Sequence, residues 1–544
     1  MWRSSLLVLV LIRVLSGLVL CDVNSAQATA VTPATKATPS KIEPWDIRGK
    51  RLLGGGGKLP SAIYERFLQL AGGKHARVLI VPTASQRADT AEGRQATLQR
   101  WQEAHPGYQF EVLHTRDRTE ADSEAFVKKL NNATGIWFGG GAQSRLAEAY
   151  VGTRFEREMY AWLDRSGVIG GSSAGTAIQT RTMIAGGKAP PRLMTGFDLV
   201  PFAIADQHFS QRKRLPRLLL ALELAPGHFG IGIDEGTAIL VEGRSMHVLG
   251  KGKVHLALAK TKTQPQRVVA LAAGEFADLP TWQRAARQRG IGAWPKAKYA
   301  TPTVKTGSLV LAGGEHVPDA AFERFVALAG GAARARIVIV PTATPSWEQR
   351  SDLAQRKLKA LSVTKIQLLT PEHPNDFTEV HTEMLELATG VWFDGGRSWR
   401  ILDAFDGTAI PGALHGVLGR GGVIGGMASV QNDFLLRGEP RSPKPLHCEG
   451  YDHGLGFLPG CAIDDQFAPH QGIDDLKALI TKYPQLLGID LNDHTAAIIT
   501  GDNLNVLGSQ TVTIVQRRAD QEAAVSTSLT GGEQWNLRLG QRSH

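Results

Sequence analysis

The sequence predicts an α/β protein made of two tandem domains, each a parallel sheet covered by helices, and three observations carry that prediction. Residues 52–260 are echoed in 309–515: Pro60, Glu65, Arg66, Phe67 and Ala71-Gly72-Gly73 recur as Pro318, Glu323, Arg324, Phe325 and Ala329-Gly330-Gly331. A period this long is that of a duplicated domain, not of a solenoid unit. Each half also holds short apolar runs closed by Gly or Pro, such as Val78 to Val81 against Ile337 to Val340, and Ile136-Trp137-Phe138 against Val391-Trp392-Phe393. Strands buried on both faces read this way. Helical stretches such as Ser61 to Leu70 separate the runs, and strand alternating with helix builds a parallel sheet whose sites gather at the carboxyl ends of strands.

Taken from the N-terminus, residues 1–28 have the layout of a secretory signal: a basic start at Arg3, an apolar run from Leu6 to Leu20, and Ala26-Gln27-Ala28 at cleavage spacing. Arg13 interrupts the run, which is short for a bilayer helix, so no integral membrane contact is expected. The large Leu20 disfavours lipid attachment at Cys21, and the expected location is secreted or periplasmic. Residues 29–49, rich in Ala, Thr, Lys and Pro, read as a disordered spacer. The first domain is placed at 50–280, a linker at 281–306 and the second domain at 307–544. Trp282 and Trp294 in the linker predict that it packs.

The 544 residues are 42% hydrophobic and 21% charged with a formal net charge of +10. That is globular composition, and its sign suits an anionic partner without choosing among nucleic acid, membrane and substrate. Three cysteines exclude a disulfide scaffold and paired-cysteine zinc modules. Removal of the signal leaves Cys448 and Cys461, either a disulfide or two structural thiols. His447, Cys448, His453 and Cys461 show no standard zinc spacing, and no metal is expected.

Chemistry is concentrated in the first half. Gly171-Ser172-Ser173-Ala174-Gly175 follows a predicted strand and precedes a helical segment, the context of a nucleophile elbow. The spacing singles out Ser173 and aims the Ala174 N–H at an oxyanion. The same residues equally describe a glycine-rich turn with a capping serine. Gly139-Gly140-Gly141-Ala142-Gln143 closes another strand, where Gly140 or Gly141 would add an oxyanion donor and Gln143 an amide. A plain strand-ending turn has the same pattern. Asp206-Gln207-His208 ends a strand, and Arg212, Arg214 and Arg217 follow, either as carboxylate clamps or as a solvated face. Asp234-Glu235 ends the next strand. A serine needs an imidazole to take its proton and an acid to fix the tautomer, and Ser173, His208 and Glu235 supply those parts.

In order and approximate spacing these blocks resemble cyanophycinases, serine peptidases that degrade arginine-grafted polyaspartate. The resemblance covers about residues 50–260. It implies a sheet like that of class I glutamine amidotransferases (flavodoxin-like), with Ser173 as nucleophile, His208 as base and Glu235 as orienter. It also implies Gln143, Asp206, Gln207, Arg212, Arg214 and Arg217 as substrate-binding residues. Ala142 departs from the family's Gly-Gly-Asp-Gln turn. The expected activity is release of β-aspartyl-arginine dipeptides, with no cofactor and no nucleic-acid partner. An aspartyl dipeptidase of the same superfamily, or a non-catalytic polymer-binding protein, are the other readings.

The second half lacks these groups. The residues aligned with Ser173, His208 and Gln143 are Ala428, Phe467 and Ser398, and Gln471, Ile473 and Leu476 stand at the arginine positions. Asp493 aligns with Glu235. The second domain is therefore expected to be a degenerate copy that packs on the first as an intramolecular pseudo-dimer partner.

Overall fold

The computed structural model describes residues 49–262, 264–291, 296, 298–299, 301–346, 352–427, 432–435, 449–464, 473–518 and 520–543. The signal, nearly all of the spacer, Trp294, Ala428, His447, Cys448, Phe467 and Gln471 lie outside the described residues, and with them the expectations made for each.

The first half runs β1 (Lys50–Gly54), α1 (Ser61–Leu70), β2 (Arg77–Val81), α2 (Ala91–Ala104), β3 (Gln109–Val112), α3 (Arg118–Asp122), α4 (Glu124–Val127), β4 (Gly135–Phe138), α5 (Gln143–Tyr150), α6 (Arg154–Asp164), β5 (Val168–Ser172) and α7 (Ala174–Ala177). It continues with β6 (Thr182–Gly186), β7 (Arg192–Thr195), β8 (Ala203–Gln207), α8 (Leu215–Leu224), β9 (Phe229–Ile233), β10 (Thr237–Glu242), β11 (Ser245–Gly250), β12 (Lys253–Leu258), β13 (Arg267–Ala272), β14 (Phe276–Asp278) and α9 (Leu279–Ile291).

The main sheet has the order β14-β11-β10-β1-β5-β4-β2-β3. Its last five strands are parallel, and the β10, β11 and β14 edge is antiparallel. The α/β class with a parallel sheet is as the sequence predicts. Apolar side chains explain why both faces are covered: Leu52, Val78, Ile80 and Trp137 pack under α1, while Leu79, Val81, Phe138 and Ile169 pack with α5 and α6. A second sheet, β13-β12-β9-β8, delivers the ends of β8 and β9 to the same edge. Register matters here, because Gly54 pairs with both Ser172 of β5 and Ala238 of β10. The turns after β1 and β5 thus leave the sheet side by side.

In the second half, strands Lys365–Leu368, Arg336–Val340, Gly390–Phe393, Val423–Gly426, Val304–Gly313, Thr495–Gly501, Asn503–Gly508 and Gln534–Asn536 follow the same spatial order as β3 back to β14, and Gln541–Arg542 adds one edge strand. Cys461 lies on the buried strand Leu458–Asp464.

The boundary expected at residue 280 falls inside α9, and the physical reason is burial. Leu279 to Ala286 are all buried, and Trp282 packs on Phe229 with the Arg267 guanidinium 4.8 Å above its ring. The other side of α9 faces the second half. Arg284 Nε donates to the Gly450 carbonyl at 2.8 Å and Nη1 to Asp406 at 2.9 Å, while Arg289 is paired with Glu449. Beside them Arg244, between β10 and β11, donates to Asp278 at 2.6 Å and Asp403 at 2.8 Å, and the Tyr451 hydroxyl donates to Asp403 at 2.7 Å. Among the described residues no helix is long and apolar enough to cross a membrane.

Candidate active site

The site begins with an unfavourable backbone. Ser173, directly after β5, has φ 55° and ψ −109°, a strained conformation for a residue with a side chain. Gly175 makes the turn possible, because a Cβ there would lie 2.0 Å from the Phe138 carbonyl oxygen. The Ser173 N–H donates to the Gly54 carbonyl at 3.1 Å, and the Thr176 hydroxyl donates to the same oxygen at 2.7 Å. The elbow is therefore held from β1 as well as from its own strand.

His208, at the end of β8, is mostly buried and also has a positive φ, 53°. Its N–H donates to the Gly55 carbonyl at 2.7 Å. This brings Nε2 to 2.9 Å from Ser173 Oγ, and Nδ1 to 2.6 Å from Glu235 Oε1. The three side chains form one hydrogen-bonded row, with the serine on a tight turn and the carboxylate on the far ring nitrogen. The neighbouring acid is used differently: Asp234 accepts from the backbone N–H groups of Ser210 at 2.9 Å and Lys253 at 3.1 Å, tying two loops together. Glu235 itself is fixed through its N–H, which donates to Gln211 Oε1 at 3.0 Å.

Gly140 sits against the elbow, its Cβ position 3.6 Å from Ser173 Cβ. Among the described residues the Gly140 and Ala174 N–H groups have no hydrogen-bond acceptor, which leaves both available to an oxyanion. Gly141 instead serves the turn: with φ 143°, its Cβ position lies 2.3 Å from the Ala84 carbonyl oxygen. The Gln143 amide donates to the Ile184 carbonyl at 2.6 Å, linking α5 to β6.

The arginines separate into two kinds. Asp206 is fully buried, and Arg217 donates to it at 3.0 Å through Nε, as does Arg214 at 3.0 Å through Nη1. Burial raises the Asp206 carboxyl above the ordinary aspartate value, with both guanidiniums pulling against it. Arg217 also donates to the Gly187 carbonyl at 3.1 Å, and Arg214 to the Gln207 carbonyl. These two are turned inward, bracing the strand end that carries His208, where the sequence suggested clamps open to substrate. Only Arg212 stands exposed. The spacing of Asp206, Arg214 and Arg217 does not reveal this pairing, because a turn between β8 and α8 folds the chain back on itself.

Sequence reasoning missed the Gly54-Gly55-Gly56-Gly57 turn after β1. A Cβ on Gly56, whose φ is 88°, would lie 2.4 Å from His208 Cε1, and one on Gly57 would lie 2.8 Å from Glu235 Oε2. The run of four glycines is the signal that was available. In the second half the corresponding corner holds other groups: Asp493 accepts from the His316 N–H at 2.8 Å, and its Oδ2 lies 2.7 Å from His316 Nδ1.

With this geometry in place, three comparisons bear on identity. The model of "Peptidase family S51" matches residues 52–249. The chain is 35% identical over 208 residues to a cyanophycinase from Synechococcus elongatus, covering 35% of this chain and 62% of that protein. It is 34% identical over 201 residues to a cyanophycinase from Geminocystis herdmanii, covering 35% of this chain and 73% of that one.

Proposed function

The chain belongs to peptidase family S51, and on that premise we propose that it is an exported serine exopeptidase that hydrolyses the aspartate backbone of cyanophycin and releases β-aspartyl-arginine dipeptides. The observation that carries this reading is the unbroken row from Ser173 Oγ through His208 to Glu235 at 2.9 and 2.6 Å. Ser173 attacks an aspartyl carbonyl while His208 Nε2 takes its proton. Glu235 holds the Nδ1–H, fixes the tautomer and stabilises the imidazolium that forms. The Ala174 and Gly140 N–H groups receive the oxyanion. Its collapse expels the amine, to which His208 returns the proton, and water then releases the acyl group by the same steps.

In this proposal the second half is a degenerate copy that serves as a built-in partner. The ion pairs from Arg244, Arg284 and Arg289 to Asp403, Asp406 and Glu449 support it, since a tether keeps such a partner at high effective concentration.

The test is incubation of the purified protein with insoluble polymer, followed by mass analysis of the soluble products. β-Aspartyl-arginine as the main early product is the expected result. Cleavage of short aspartyl dipeptides without release from the polymer would favour an aspartyl dipeptidase, and binding without cleavage of either a non-catalytic protein.

The glycine turn gives a second expected outcome. Gly56→Ala places a methyl group where the imidazole ring stands, and displacing a general base by about 1 Å costs roughly 100-fold in rate. Steady-state kinetics should show that fall in kcat with KM little changed and circular dichroism unaltered. An unchanged kcat would mean that His208 has room to move aside.

A further inference from the structure

A cleft of about 670 Å³ opens beside the elbow, between α1 and α2, and Ser172, Gly139 and Gly140 form its inner end. Its volume is that of a ligand site, and its lining separates by chemistry. Three cations, Lys58, Arg87 and Arg100, stand around it, and no acidic residue lines it among the described residues. None of the three is paired with a carboxylate there. The Arg100 Nε makes only a long 3.3 Å bond to a carbonyl of its own helix. Lys58 directly follows the glycine turn that packs on His208 and Glu235.

The remaining wall is aromatic. Trp101 meets Tyr64 at 5.5 Å edge-on and Trp137 at 5.5 Å, and Tyr64 meets Trp137 at 5.0 Å. Trp101 lies on α2, a helix of 14 residues with none fully buried. Its indole is therefore only partly committed to the core and presents surface to the cleft. Exposing such a ring forgoes hydrophobic stabilisation unless a ligand covers it.

Unpaired cations beside an aromatic cluster in which Trp101 and Tyr64 stay partly exposed suit an occupant that carries carboxylates together with a flat cation. Each unit of the proposed polymer bears both on its grafted arginine: a carboxylate for the lysine and arginines, and a guanidinium for the rings. We infer that the cleft between α1 and α2 is the subsite for the arginyl groups of the unit next to the scissile bond. The inference rests on the proposed function and adds to it the residues Lys58, Arg87, Arg100 and Trp101.

The test uses the full chain carrying Ser173→Ala, titrated calorimetrically with a soluble oligomer of a few aspartyl-arginine units and with the same oligomer amidated at its arginyl carboxylates. The acid form should bind at least about tenfold more tightly, the scale of a lost charge-assisted hydrogen bond. Adding Lys58→Ala, Arg87→Ala and Arg100→Ala together should erase that preference, and Trp101→Ala should weaken both forms. Equal affinity for the two oligomers, or a preference that survives in the triple variant, would overturn the subsite. Polymer hydrolysis by protein with Ser173 intact is measured in parallel. Hydrolysis without the charge preference removes the subsite alone, whereas no hydrolysis removes the functional reading and the subsite with it.

Discussion

Ser173→Ala is expected to abolish turnover, with kcat falling by about 10⁴ to 10⁶-fold, the range in which removal of a triad nucleophile leaves only oxyanion and binding effects. The change deletes one oxygen, whose single side-chain partner among the described residues is His208 Nε2. The features that hold the turn are backbone groups: the Ser173 N–H on the Gly54 carbonyl and the close approach of Gly175 to Phe138. Alanine keeps all of them, so circular dichroism and thermal midpoint should match the parent and polymer binding should persist. Ser172→Ala is the control. Ser172 ends β5 and lines the neighbouring cleft, whereas the imidazole nitrogens are bonded to Ser173 and Glu235, and the expected loss is less than about tenfold, about one charge-assisted hydrogen bond at most. A dead Ser172→Ala enzyme with an active Ser173→Ala enzyme would assign the nucleophile to the other serine.

Ending the chain after Thr306 is expected to give a first half that self-associates and has lost activity even on short soluble substrates. The cut leaves α9 in place but removes Asp403, Asp406, Glu449 and the Gly450 carbonyl, the groups that receive Arg244, Arg284 and Arg289. Arg284, 9% exposed in the intact chain, would face solvent together with the apolar surface around it. The damage reaches the chemistry through a short path. α9 packs in one core with Phe229, Ile231 and Ile233 of β9, and β9 ends one residue before Asp234-Glu235. Size-exclusion chromatography and kinetics on a soluble aspartyl-arginine oligomer test this directly. A truncated protein that stays monomeric and keeps full activity would remove the built-in-partner proposal.

The parts of the site that were legible in the sequence are those specified locally. The elbow is readable because a strand, a glycine-flanked serine and a helix occupy consecutive residues, and the parallel sheet is readable because its strands are apolar on both faces. Glu235 was named from the sequence, but nothing local sets it apart from Asp234, since both follow the same strand and only the fold shows which reaches the imidazole. Gly56 and Gly57 went unread because what they must avoid, His208 and Glu235, lies far along the chain. The inward turn of Arg214 and Arg217 was hidden for a related reason: a run of basic residues has the same pattern whether it faces water or a buried aspartate. The boundary inside α9 was hidden because residues that serve two halves at once carry no break in composition.

β1 comes first among the described strands, yet its partners come late. It lies between β5 and β10, and the carbonyl of Gly54 accepts from a hydroxyl 122 residues further along the chain. Contacts of such separation make topology slow to assemble, because loop closure must be completed before any of them forms. β1 cannot be enclosed in the sheet until the chain beyond Glu242 is present. The serine and the imidazole are held in line by the carbonyls of Gly54 and Gly55, more than 100 residues before them in the chain. A chain still emerging from the ribosome has no complete triad until Glu235 has been added. The order of the strands makes the triad a product of long-range closure and not of any one local segment.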